Sequence, residues 1–162
     1  MQITLNSADL ISRDPLPQLY RVRQRWDSAP LADVPAVTRA QLDRVGLRAR
    51  ITPGMRVAVT AGSRGIHDIV PVTRATVAWL RDAGAVPFIV PAMGSHGGAT
   101  ADGQVQLLAA LGITEASVGC PMHSSLEVVQ VGTLTDGTPV FMDRLAYEAD
   151  GVVVINRVKA HT

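Results

Sequence analysis

One histidine, His96, stands inside PAMGSHGGAT (residues 91–100) with Gly94, Gly97 and Gly98 around it. An imidazole with an ordinary pKa of about 6.5 gives and takes protons near neutrality. Its glycine neighbours supply no bulk to bury it and let backbone or ligand come close. Those residues suit a histidine that reaches a ligand, or a surface loop histidine. A second histidine, His161, lies in NRVKAHT beside Lys159, the only lysine of the chain. Two histidines facing one crevice from separate strands would make an opposed acid–base pair, removing a proton on one face and returning it on the other. They also suit a metal, but HExxH and HxxEH spacings are absent and no metal ligands are assigned. Cys120 and His123 form a Cys-His pair with little to complete it.

The third cluster is AGSRGIHD (61–68), containing Gly62, Ser63, Arg64 and Gly65. Small residues opening a helix can turn backbone N–H groups and the positive end of the helix dipole toward an anion. Arg64 can add a bidentate contact to phosphate or carboxylate. The stretch is neither GxGxxG nor a phosphate loop, so the two glycines equally suit a tight strand-to-helix turn. His67, at the start of the helix, is expected on the surface.

The elements that must position these groups follow a repeated grammar from residue 55. MRVAVTAG is an apolar run closed by glycine, and SRGIHDIVPVTRATVAWLRDAG gains helical periodicity and ends on Gly84. AVPFIVPAMG and GATADGQVQLLAALG repeat the pattern, the second helix closing at Gly112. ITEASVGCPM follows without an assigned element. LEVVQVGTLTDGTPVFMDRL then reads as two strands around an Asp136-Gly137 turn, a β-hairpin near residues 127–142. LAYEAD is a short helix leading into the apolar GVVVINRV. Apolar runs alternating with amphipathic helices predict an α/β, Rossmann-like fold with a mostly parallel sheet flanked by helices, and the hairpin at one edge. In such folds the ligand crevice lies at the carboxyl ends of the strands. TAGSRG, PAMGSHGG and NRVKAHT should meet there, bringing together Arg64, His96, Lys159 and His161.

Residues 1–50 read as an N-terminal arm ahead of an α/β domain at 51–162. ITL is strand-like, PLPQLYRVRQRW is a helix entered through proline, SAPLADVP is a linker, and AVTRAQLDRVGL is helical. Arg21, Arg23 and Arg25 beside Trp26 suit a solvated face with an aromatic anchor, or a binding patch.

Composition narrows the class. A chain of 162 residues with 47% hydrophobic content can bury a substantial core. No apolar run approaches the roughly 18 residues of a membrane span, and the N-terminus has no signal-peptide pattern. A single cysteine excludes an internal disulfide and suits a reducing cytoplasm. A net charge of +1 with mixed signs gives no support for nucleic-acid or membrane-surface partners. Arginine in place of lysine, with the load of Ala, Val and Gly, suits a GC-rich bacterial genome.

Three segments together, VAVTAGSRGIHDIVPVTRATVAWL, VPAMGSHGGATADGQ and VGTLTDGTPVFMDRLAYEADGVVVINRVKAH, resemble the N-terminal domain of the lactate racemase family in order and spacing. The likeness spans about residues 55–162. Its members are 2-hydroxyacid racemases and epimerases using a nickel-pincer nucleotide. The resemblance implies that His96 and His161 are the two catalytic acid–base histidines. It implies that Gly62, Ser63, Arg64 and Gly65, with Gly94 and Ser95, bind cofactor, and that Arg64 meets the substrate carboxylate. It further implies that the cofactor's covalent lysine and a nickel-ligand histidine lie beyond the position of Thr162, in a longer protein with a second domain. On that expectation the present chain is a fragment, inactive alone. Gly62-Ser63-Arg64-Gly65 stands where lactate racemases tend to carry Asp-His-Thr-Arg, and Gly97-Gly98 replaces Arg-Pro. A different small 2-hydroxyacid is therefore the expected substrate. The alternatives are a nucleotide- or phosphate-binding module without redox chemistry, and an oligomerisation domain whose glycines only shape turns. A homo-oligomer fits any of the three.

Overall fold

The computed structural model describes residues 20–23 and 29–157. Met1–Pro30 and Leu31–Thr162 form separate compact units, and every helix and strand among the described residues lies in the second. Lys159 and His161 lie outside the described residues, as do the expected strand at 3–5 and most of the expected helix at 15–26. Residues 20–23 of that stretch carry no helix.

Three parallel strands form the sheet: β1 (Arg56–Ala61), β2 (Val86–Pro91) and β5 (Gly151–Ile155), in the order β2-β1-β5. β1 pairs with β2 from Arg56↔Val86 to Ala61↔Pro91, and with β5 from Val57↔Gly151 to Ala61↔Ile155. The central strand is apolar on both faces because both are covered. Val57, Val59 and Ala61 join Ile89 in a cluster with Val77, Leu80, Leu108 and Val118 from the helices and Ile113 from a connecting loop. Ala58, Phe88 and Val90 point the other way, onto Ala146 with Met142 and Leu145. Burying a side chain such as the fully enclosed Ile89 contributes about 1.5–3 kcal/mol.

The covering helices are α2 (Ile69–Asp82), α3 (Ala101–Ala110) and the one-turn α4 (Glu115–Val118). In α2 the buried Ile69, Thr73, Thr76, Val77 and Leu80 recur at spacings of three and four, the stripe of an amphipathic helix. The helix α1 (Val34–Arg44), begun by Asp33 as N-cap, belongs to the same unit. It is tied to α2 by the indole N–H of Trp79, which donates to Asp43 Oδ1 at 2.7 Å. Arg48, in the 3-10 turn Leu47–Arg50, lies 5.2 Å from the same ring.

β3 (Val128–Thr133) and β4 (Pro139–Asp143) make the expected antiparallel hairpin, followed by α5 (Arg144–Tyr147). Its tip is a turn in which Gly137 N–H donates to Leu134 O at 3.0 Å and Asp136 Oδ1 accepts from Thr138 N–H at 2.9 Å. The hairpin is a sheet of its own, not an extension of the parallel one. On the β2 side that edge is already occupied: Ile89 N–H donates to Pro121 O at 2.8 Å, and Ile89 O accepts from His123 N–H at 2.9 Å.

Candidate functional site

Gly62, Ala92 and Asn156 come directly after β1, β2 and β5, so parallel pairing delivers all three to one end of the sheet. A Cβ added to Gly62 would lie 3.7 Å from Ala92 O and 4.0 Å from Asn156 Oδ1. The ladder continues into these loops, with Ala92 N–H donating to Ala61 O at 2.8 Å.

Across that junction Ser63 Oγ and His96 Nδ1 are 2.6 Å apart. The serine comes from the loop after β1 and the exposed histidine from the loop after β2. This is the one side-chain hydrogen bond, among the described residues, between the 61–68 and 91–100 clusters. With Nδ1 engaged, Nε2 is the ring nitrogen left for other partners.

The loop carrying His96 is held by its own hydrogen bonds. Gln104, buried in α3, donates from Nε2 to Gly94 O at 2.9 Å. His96 N–H donates to Met93 O at 3.3 Å, and Ala99 N–H donates to Ser95 O at 3.1 Å. Thr100 caps α3, accepting from Gly103 N–H at 3.1 Å and donating to Gly97 O at 3.2 Å. Gly97, Gly98 and Ala99 have φ of 68°, 67° and 53°, three successive left-handed residues. Gly97 is also jammed against the helix, because a Cβ there would stand 2.5 Å from Gly103 C. The glycine after His96 therefore serves the packing of its loop onto α3. Around Gly65 and Gly94 an added Cβ would meet nothing within 4 Å, so the space there is open.

Arg64 is exposed and makes no ion pair among the described residues. Arg157, just past β5, reaches the same loop, its Nη1 donating to Gly65 O at 3.4 Å. The start of α2 is a weaker anion site than the sequence implies. Ile69 lies beyond Ile66, His67 and Asp68, and Asp68 sets a carboxylate at the N-cap position without a capping bond. That charge repels an anion at the helix end. His67 is surface-exposed as expected and pairs with Asp68 at 3.4 Å.

Beside Gly94 an apolar groove of about 410 Å³ runs between the sheet and the hairpin, lined by Thr60, Val90, Met93, Gln104, Leu126 and Met142 among others. Cys120 and His123 belong to neither loop cluster. Cys120 is buried in the helix-side core, where burial pushes its thiol up to about 11. The His123 ring lies 5.4 Å from Phe88.

Arg157, Asn156 and Gln104 were not singled out from sequence. Arg157 and Asn156 had a signal, their place directly after the last apolar strand. Gln104 had only its placement within a helix pattern.

No curated protein matches the chain. The family model described as the lactate racemase N-terminal domain matches residues 40–162, taking in β1 to β5 and both loops that carry Ser63 and His96. The chain belongs to the lactate racemase N-terminal domain family.

Proposed function

We propose that this domain supplies acid–base histidines and an anion-binding loop to a 2-hydroxyacid racemase or epimerase that uses a nickel-pincer nucleotide. The observation that carries the reading is the meeting of His96 with the Gly62–Gly65 loop at the carboxyl end of the sheet, inside a region matched to the family. Bound, the nucleotide supplies a hydride acceptor at its pyridinium carbon.

The described residues suit the anionic part of such a group better than its metal. Open space at Gly65 and Gly94, with Arg64 free of ion pairs among the described residues and Arg157 at the rim, suits a phosphate. Gly62, Ser63, Arg64, Gly65, Gly94 and Ser95 would hold it, and Arg64 would also meet a substrate carboxylate. No group of three or more His, Cys, Asp or Glu among the described residues is placed to hold a metal ion. The apolar groove beside Gly94 leaves room for a small 2-hydroxyacid. His96, through its free nitrogen, takes the proton of the substrate 2-hydroxyl and gives it back, and the family resemblance gives His161 the same role. No helix among the described residues is long and apolar enough to cross a membrane. The reading places the enzyme in a bacterial cytoplasm.

The test is racemisation of a panel of small 2-hydroxyacids by the cofactor-loaded protein, read by chiral chromatography. His96→Ala and His161→Ala should each lower turnover by about 10²–10⁴-fold with the fold intact. Wild-type turnover in either variant refutes the reading. Nucleotide binding by calorimetry in a loaded protein that racemises nothing favours a binding module instead.

A further inference from the structure

From the contact between Ser63 and His96 we infer that Ser63 is the positioning residue of the catalytic imidazole, holding Nδ1 so that Nε2 is the reacting nitrogen. This rests on the acid–base reading of His96 above.

Ser63 Oγ and His96 Nδ1 are 2.6 Å apart, a short hydrogen bond across two loops. The backbones of both loops are fixed by other bonds: Ala92 N–H to Ala61 O, and Gln104 Nε2 to Gly94 O at 2.9 Å. The imidazole, exposed and ringed by glycines, has no other side-chain hydrogen-bond partner among the described residues. Its orientation therefore depends on the serine.

A hydroxyl both donates and accepts. For Nε2 to act as a base its lone pair must be free, which puts the proton on Nδ1 and makes Ser63 Oγ the acceptor. Once Nε2 has taken a proton, Nδ1 still carries its own and Oγ still accepts. The same bond thus serves both protonation states of the cycle, and neither state requires the ring to turn. Because Oγ only accepts, the hydroxyl hydrogen of Ser63 remains available to an anionic oxygen held by the Gly62–Gly65 loop. A carboxylate in this place would hold the same tautomer but lacks that hydrogen, and its charge would oppose an anion.

The experiment is ¹⁵N NMR of the histidine side chains in the labelled protein, with His96 assigned through His96→Gln, read for wild type, Ser63→Ala and Ser63→Thr. At a pH where the ring is neutral, wild type should carry the His96 proton on Nδ1. Ser63→Ala should shift the population toward the Nε2–H form that free histidine favours, and Ser63→Thr should hold the wild-type tautomer. In the cofactor-loaded enzyme Ser63→Ala should lower kcat by about 3–10-fold, the value of one hydrogen bond, with Ser63→Thr restoring it and unfolding midpoints unchanged. A tautomer indifferent to Ser63→Ala overturns the inference and leaves the acid–base role of His96 standing. A tautomer that shifts while kcat stays at wild type overturns that role, and the inference with it.

Discussion

Gly97 and Gly98 allow backbone strain and steric overlap to be separated by a single methyl group. Both have left-handed φ, 68° and 67°, so replacing either with alanine carries the same conformational cost, about 1–2 kcal/mol. Stiffening the unfolded chain offsets about 0.4–1 kcal/mol of it. Gly98→Ala, whose Cβ meets nothing within 4 Å, should therefore cost only about 1 kcal/mol. Gly97→Ala adds a Cβ 2.5 Å from Gly103 C and 2.6 Å from Gln104 N, backbone atoms that no side-chain rotation can clear. Overpacking of that kind adds about 1–3 kcal/mol. Relief requires the loop to lift from α3, which carries His96 away from Ser63. Urea unfolding of the two variants reads the difference, and histidine NMR reads the displaced imidazole. Equal stabilities for Gly97→Ala and Gly98→Ala, with the Ser63–His96 contact intact in both, would refute the packing role assigned to Gly97.

Contacts elsewhere set two further outcomes. Trp79→Phe removes the N–H that donates to Asp43 Oδ1 at 2.7 Å, a bond to a charged acceptor contributing about 1.5–3 kcal/mol; urea unfolding should show a loss of that size, and a loss confined to a few tenths would mean that this bond does not hold α1. Cys120, with its thiol at about 11 against an ordinary 9.0, should be alkylated at pH 8 roughly a hundred times more slowly than an exposed thiol on thiolate fraction alone. Modification should become rapid only under unfolding conditions or as the pH climbs toward the raised value, and fast stoichiometric labelling of the native protein at pH 8 would contradict its burial.

The parts of this fold that announce themselves in sequence are those whose pattern is set by burial. VAVTA and PFIV are unbroken apolar runs because both sheet faces are covered, and Ile69, Thr73, Val77 and Leu80 recur at helical spacing because one face of α2 meets the sheet. The strand ends follow from that order, so the meeting of the Gly62–Gly65 and Gly94–His96 loops was legible too. Contacts between particular atoms were not. Nothing in the spacing of Ser63 and His96 distinguishes a hydrogen-bonded pair from two neighbours in separate loops. Gly97 invited a reading in terms of ligand approach, whereas its backbone is pressed on Gly103. The four-residue α4 is too short for a periodicity, although its Thr114–Ser117 capping box is a local signal. The Pro121–His123 segment along β2 has no strand-like run to betray it.

The central position of β1 also has a meaning in time. Its partner on one side, β2, begins at Val86, but its partner on the other begins only at Gly151. At about 5–20 residues per second of synthesis, β1 waits on the order of 5–20 s after it is made before β5 exists to cover its second edge. During that interval a strand of Val, Ala and Thr is half-paired, with α2, β2 and α3 already available on one side. Throughout that interval the segments bearing Ser63 and His96 have both been made, while the strand leading to Asn156 and Arg157 has not been translated.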